Sequence, residues 1–338
     1  MKCFPWHEAD FKQLLARSAR LPHALLFKGP KGIGKLAFAR GLAASLLCEK
    51  TARADTACGV CPSCLWIAND AHPDFRLVQP EVDAADESVE PAAAPEKKKQ
   101  RIIAIAQIRA LSDFINMTSH QGRAKVILVH PAETLNAAAF NALLKSLEEP
   151  PPETYFLLVS HRPHLLPATI KSRCQQVALA GPPPLAAANW LHDQGIDDPQ
   201  LAMAQAGGAP LLAQELNETE YWVARSQFLQ GLGARDFDAL ALAERSAAQP
   251  VPQLLGWLQK WTLDIAYKKF INKIRYNPDH DAALAGLAQR MDGLAVLRYH
   301  RQLIRLQRMV EHPFNVRLLY EDLLLAYGAL LQPGASGR

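Results

Sequence analysis

Short apolar runs punctuate the first half of the chain, at residues 24–27, 75–78, 126–129 and 155–159. Each has the length of a strand and is bounded by turn formers or charge, so each is expected to be a buried strand. Between them the period changes to that of a helix. Residues 36–47 are rich in Ala and Leu, and residues 105–115 place Ile105, Ile108, Leu111 and Ile115 along one helix face. Residues 136–149 carry Phe140, Leu143, Leu144 and Leu147, and Pro150-Pro151-Pro152 stops the helix. Strands alternating with helices predict a parallel sheet covered on both faces.

Residues 80–100 interrupt the alternation. They are rich in Ala, Pro and acids, run into Lys97-Lys98-Lys99, and read as a mobile surface loop. Beyond Gly181-Pro182-Pro183-Pro184 and Gly207-Gly208-Ala209-Pro210 the pattern is helical to about Leu331, without a strand. The expected division is 1–165, 166–208 and 209–331, with a frayed tail at 332–338. No internal repeat is visible.

With 338 residues, 49% hydrophobic and 21% charged, the chain has the balance of a globular protein of two or three domains. No apolar run approaches the ~18 residues that span a bilayer. The first residues lack a signal-peptide core, so a cytoplasmic location is expected. A net charge of +4 argues against a protein that coats DNA through bulk charge. Six cysteines in that compartment are expected to be thiols or metal ligands.

Gly29-Pro30-Lys31-Gly32-Ile33-Gly34-Lys35-Leu36 follows a strand and opens a helix, the setting of a phosphate-binding loop. Backbone N–H groups of such a loop cradle phosphates at the helix N-terminus, and Lys35 would reach the outer phosphates. The Ser or Thr that binds Mg²⁺ is replaced by Leu36, which has no ligand atom. A motor would also place acids at the end of a later strand. Here 126–129 is followed by His130-Pro131-Ala132, and the first carboxylate, Glu133, comes too late to be placed. Efficient ATP hydrolysis is therefore not expected. Gly29, Gly32, Gly34 and Lys35 form either a degenerate nucleotide site or a retained tight turn. His130 reads as a hydrogen-bonded histidine rather than a catalyst.

Cys48, Cys58, Cys61 and Cys64 make C-x9-C-x2-C-x2-C, with Gly59 and Pro62 favouring tight turns. Four thiolates in a reduced compartment suit a tetrahedral structural Zn²⁺. An iron–sulfur cluster is a weaker match, because no further Cys-Pro ligand follows. Cys3 and Cys174 stand alone and read as small buried residues. Ser172-Arg173-Cys174 follows an apolar stretch. Arg173 has three readings: an ion pair, a helix cap, or a cation completing a neighbour's phosphate site. Residues 251–320 hold 11 Lys/Arg against 5 Asp/Glu. Arg298, Arg301, Arg305 and Arg308 share a helix side, either a solvated face or a DNA-facing stripe. Leu294, Leu297, Leu303, Ile304 and Val310 are expected in the core or an interface.

These residues together resemble a known family. Phe4-Pro5-Trp6, the loop remnant, the four cysteines, His72-Pro73-Asp74, the run Asn141-Ala142-Leu143-Leu144-Lys145-Ser146-Leu147-Glu148-Glu149-Pro150-Pro151 and Ser172-Arg173-Cys174 are similar to the delta-prime subunits of bacterial DNA polymerase III clamp loaders. The resemblance spans nearly the whole chain, and the 141–151 run is its most specific part. It implies an α/β AAA+ module, a RecA-like P-loop fold with an inserted zinc site. A small helical lid domain and an all-α C-terminal collar domain would follow. It implies that the cysteines hold zinc and that Arg173 reaches the ATP site of an adjacent subunit. Bound ATP would have no functional role in this chain.

The implied partners are gamma/tau and delta subunits in a hetero-pentamer, with the sliding clamp and primer-template DNA met through that complex, and no membrane. The implied location is the cytoplasm, at the nucleoid and replisome. Leu36, His130-Pro131, and Pro210 where active relatives carry a lid arginine fit the non-motor member. The alternatives are an active ATPase of the gamma/tau type and a zinc-dependent DNA-binding module.

Overall fold

The computed structural model describes residues 3–50, 55–80, 102–120, 123–307 and 315–332. The expected mobile loop at 80–100 falls outside them except for Pro80, as do Arg308, Val310 and the tail from residue 333. The chain divides into two compact units, the first ending at Ala186 and the second running from Ala187.

The first unit is built on a parallel sheet of five strands: β1 (Ala24–Lys28), β2 (Phe75–Val78), β3 (Lys125–Val129), β4 (Thr154–Ser160) and β5 (Gln175–Ala178). Their order is β2-β3-β4-β1-β5, and every pairing is parallel. Around the sheet lie α1 (Glu8–Leu15), α2 (Lys35–Leu47), α3 (Pro62–Ala68), α4 (Ile105–Asn116), α5 (Ala137–Glu148) and α6 (Ala168–Arg173). The central strands are covered on both faces, so they read as unbroken apolar runs. Ala24, Leu25, Leu26 and Phe27 are all fully buried.

The fifth strand was not expected from the sequence. Gln175-Gln176-Val177-Ala178 sits at the sheet edge with mostly exposed side chains, so no apolar run marks it. The α5 boundary follows from chemistry at each end. The Asn136 side chain accepts from the Ala139 N–H at 2.8 Å, and the triple proline ends the helix.

The second unit is helical: α7 (Pro184–Asp193), beginning at the junction, then α8 (Pro199–Gln205), α9 (Pro210–Glu215), α10 (Thr219–Gly233), α11 (Ala239–Arg245), α12 (Val251–Ile271), α13 (Asp281–Arg290), α14 (Gly293–Gln307) and α15 (Val316–Leu331). A small apolar cluster around Leu191, Ile196, Ala202 and Ala213 holds α7 to α9. A larger core follows, with Trp257, Trp261, Tyr320 and Tyr327 at its centre. Its polar tips are satisfied: Trp261 donates to the Tyr327 hydroxyl at 3.0 Å, which donates to the Leu232 carbonyl at 3.1 Å.

Of the apolar residues expected to be covered on α14, Leu303 is buried, whereas Leu294, Leu297 and Ile304 are exposed. Arg298, Arg301 and Arg305 are also exposed, so that side of α14 is not covered by the described residues. No helix among the described residues is long and apolar enough to cross a membrane.

Candidate functional site

The phosphate loop lies between β1 and α2, as its sequence requires. Gly32 and Gly34 have φ of 79° and 97°, the left-handed region that glycine tolerates best. A side chain at Gly34 would also run into the Phe4 ring. Phe4 stacks on Trp6 with centroids 4.8 Å apart, and the Trp6 indole donates to the Ile33 carbonyl at 2.9 Å. The first aromatic residues of the chain are thus packed directly against the loop.

Lys35 is 2% exposed. Its ammonium donates to the carbonyl of Gly29 at 2.8 Å and to that of Pro30. Burial lowers its pKa to about 8, partly opposed by the Glu133 carboxylate. Leu36, the residue after it, offers no metal ligand.

The structure places the carboxylate that sequence spacing left open. A short 3₁₀ turn, Ala132–Thr134, folds the chain back after β3. Glu133 Oε1 accepts from the His161 N–H at the end of β4, at 2.9 Å, and Oε2 is buried without a hydrogen bond. His130 and His161 meet edge to face, 5.2 Å between centroids. Burial lowers both imidazoles to about 4, so they are neutral near pH 7. Neutral imidazoles and one carboxylate therefore occupy the strand ends. His161 was missed in the sequence and Glu133 was named but not placed, because a loop turn and a strand end, not spacing, bring them to Lys35.

At the other end of α2 the chain forms a cysteine knot. Cys48 caps α2, Cys61 caps α3, and Cys64 lies on α3. The four sulfurs all lie within 4.8 Å of one another. Cys48–Cys61 and Cys58–Cys64 are each 3.9 Å apart. A tetrahedral ion with Zn–S bonds of about 2.3 Å sets sulfurs about 3.8 Å apart, so these four could hold one metal ion.

A chain of hydrogen bonds runs beside the knot. The Asp74 N–H donates to His72 Nδ1 at 3.0 Å, which leaves the proton on Nε2. His72 Nε2 then donates to Ser63 Oγ at 3.0 Å, and that hydroxyl donates to Glu49 at 2.6 Å. His72 is fully buried, and burial lowers its pKa. His72-Pro73-Asp74 thus ties the knot to the start of β2.

Arg173 is the last residue of α6, with its side chain 36% exposed. It pairs with Glu148 at the end of α5, 2.6 Å apart, and donates to the Thr169 carbonyl at 3.1 Å. Within the single chain it is both an ion-pair partner and a cap on its own helix. Cys174 beside it is buried, and burial raises its thiol to about 11, which keeps it protonated near pH 7.

A family model described as DNA polymerase III, delta subunit, matches residues 8–183. Another, described as DNA polymerase III, delta subunit, C terminal, matches residues 219–328. The DNA polymerase III subunit delta' of Pseudomonas aeruginosa is 37% identical, over 98% of this chain and 99% of that protein. The subunit of the same name from Escherichia coli is 31% identical, over 99% of this chain and 98% of that one. DNA polymerase III subunit tau of Escherichia coli is 39% identical over only 47% of this chain and 22% of its own length.

Proposed function

The chain belongs to the delta-prime family of DNA polymerase III subunits, and from that premise we propose that it is a non-motor subunit of the clamp loader that lends Arg173 to a neighbour's ATP site. Gamma/tau and delta subunits would complete a hetero-pentamer, which places the sliding clamp on primer-template DNA. The complex would act with the polymerase at the nucleoid, while this chain would not turn over ATP.

One observation carries the reading: Arg173 is presented at a helix end and, among the described residues, is held by groups that a new partner can replace. A surface ion pair such as Arg173–Glu148 contributes roughly 0–1 kcal/mol, so exchanging it for phosphate oxygens costs little. A guanidinium added to a phosphoryl-transfer site neutralises charge that develops in the transition state, and an absent one costs ~10³-fold or more in rate. The chain's own loop supports the non-motor half. Leu36 cannot hold Mg²⁺, and the strand ends offer neutral imidazoles and a single carboxylate already accepting a backbone N–H.

Zinc is the ion assigned to Cys48, Cys58, Cys61 and Cys64. Four sulfur ligands leave no position for a substrate, so its role would be structural.

The decisive experiment is reconstitution with gamma/tau and delta partners. Arg173→Ala should leave the assembled mass unchanged and lower DNA-stimulated ATPase and clamp loading. Equal ATPase and loading with the variant would reject the role of Arg173, and failure of the wild-type chain to join the complex would reject the subunit assignment. Mg²⁺-dependent turnover by the isolated chain, abolished by Lys35→Ala, would restore the motor reading.

A further inference from the structure

The sheet of the first unit ends in two edge strands, β2 and β5, and the two are finished differently. The backbone groups of successive residues in a strand point alternately toward a neighbouring strand and away from it. At the β2 edge the Asp74 and Val78 carbonyls accept from Val126 and His130 beside them, so Phe75 and Gln79, just past the strand, point outward. Both outward carbonyls are taken by side chains. Arg76 donates to that of Phe75 at 2.8 Å, and Gln107 donates to that of Gln79 at 2.8 Å. The Arg76 guanidinium also lies over the Phe114 ring, 4.5 Å from its centroid. An edge closed by its own side chains offers no ladder to another chain.

The β5 edge is not closed in this way. Leu179 donates to the Lys28 carbonyl on β1 at 2.9 Å, which turns Gln176 and Ala178 away from β1. Among the described residues, the N–H and C=O of these two outward residues have no partner. The Gln176 side chain does not cover them, because it is turned back to accept from the Lys28 ammonium at 2.9 Å. Gln175-Gln176-Val177-Ala178 includes no lysine or proline to blunt the edge. A groove of about 280 Å³ runs along it. All four residues of β5 line the groove, although successive side chains point to opposite faces of a sheet. Only a groove beside the strand's edge meets all four. Its far wall is one side of α1 and the turn after it, where Asp10, Gln13, Leu14 and Arg17 recur every three or four positions.

We propose that this groove takes an extended segment of a partner protein, which pairs with β5 as a sixth strand and sets an acidic residue at the Gln175 end. A strand added to an open edge gains affinity from main-chain hydrogen bonds and selectivity from its side chains. The selecting groups here are Arg17 and Arg20, which line the groove, are exposed, and make no ion pair among the described residues. Arg20 lies four residues before β1, whose Leu25 stands beside Gln175. Asp10 belongs to the opposite end, where the His7 ring donates to the Ala180 carbonyl at 3.0 Å. The seven positions from Asp10 to Arg17 correspond to about 10 Å along a helix. The groove is thus positive at one end and negative at the other. A guest acidic along its whole length would meet Asp10, and a basic one would meet the arginines. The guest that matches carries its acids at one end only.

The test uses the full-length chain and end-blocked synthetic peptides that carry Asp-Glu either before or after Val-Thr-Val-Thr. Versions with Lys-Lys in place of the acids are the controls. Calorimetry should show at least one acidic peptide binding, and its lysine version binding at least tenfold more weakly. Amide exchange followed by NMR should slow at Gln176 and Ala178 on binding and stay unchanged at Val177, which already faces β1. N-methylation of alternate peptide amides should abolish binding for one alternate set and spare the other, since only one set faces β5. Ala178→Pro removes an outward donor and leaves the β1 ladder intact, so it should weaken binding at least tenfold. Arg17→Glu combined with Arg20→Glu should weaken it as much without touching the backbone. Failure of both acidic peptides, equal binding of the lysine versions, or slowed exchange away from β5 would each overturn the proposal. Slowing at Gln176 and Ala178 that grows with protein concentration in the absence of peptide would also overturn it, by giving the edge to a second copy of the chain. If Ala178→Pro folds poorly, the arginine variant and the exchange map of the unaltered chain decide.

Discussion

Helix α2 carries a different site at each end, and the two have diverged. At its N-terminus the phosphate loop keeps its backbone and Lys35, but the ligand positions around it hold Leu36, His130 and His161. At its C-terminus Cys48 and three more sulfurs converge within 4.8 Å. The loop is packed by contacts within the chain: Phe4 against Gly34, Trp6 on the Ile33 carbonyl, Lys35 on the carbonyls of Gly29 and Pro30. The knot has a complete donor set and a chain of hydrogen bonds beside it. A motif's outline and its ligands are therefore separable. The outline persists where it packs a helix against a strand, whereas a metal site needs every donor.

The sharpest way to break this comparison is at the knot. Cys48→Ser should cost on the order of several kcal/mol, because a metal-bound fold loses its binding energy with a ligand. Native mass spectrometry of the unaltered protein should show one zinc, and thermal melting should show a lower Tm for the variant. A metal-free native protein of full stability would remove the distinction between the two ends.

At the loop, Gly34→Ala should cost roughly 1–3 kcal/mol through backbone strain at φ 97° and collision with Phe4. Pairing it with Phe4→Ala should recover part of that loss in denaturant titrations. A neutral Gly34→Ala would mean that the loop is not held by packing.

Acid should act at the loop, where the two histidines lowered to about 4 sit. His130 and His161 sit near 4 when folded, against about 6.5 when unfolded. Below pH 6.5 the unfolded chain takes up protons that the folded chain refuses. Their contribution is thus fully present above pH 6.5 and lost as the pH falls toward 4. Unfolding midpoints at pH 7 and pH 5 should differ less in a His130→Gln, His161→Gln variant than in the parent.

The smallest expected effect is the most pointed. Lys35→Met should change the ATPase of the reconstituted complex by less than about twofold. A large loss would return the loop to service as a nucleotide site.

Much of the fold could be read from one chain. Strands β1, β3 and β4 announce themselves because both faces of the central sheet are covered, and β2, at the other edge, is marked by Phe75, Leu77 and Val78. Helices α2, α4 and α5 were placed to within a residue or two by period and by proline stops. Strand β5 was not, since an edge strand can be Gln-Gln-Val-Ala without penalty. The cysteine cluster was legible because its ligands are close in sequence. What stayed hidden depends on contacts over long separations: Phe4 over Gly34, Glu133 turned toward His161, and Glu148 joined to Arg173. The pattern of α14 left core and interface open, and within the single chain Leu303 is buried while Leu294, Leu297 and Ile304 are exposed.

The 13 residues of α2 span about 20 Å, with Lys35 as the first and Cys48 just past the last. Backbone amides in such a short helix open in cooperative groups rather than singly. Stripping the metal should therefore quicken hydrogen–deuterium exchange along α2 as far as the loop, while helices of the other unit keep their rates. The exchange rate at Phe38, whose N–H donates to the Gly34 carbonyl at 3.0 Å, would then serve as a clock, read at one end of a rod, for whether an ion sits at the other.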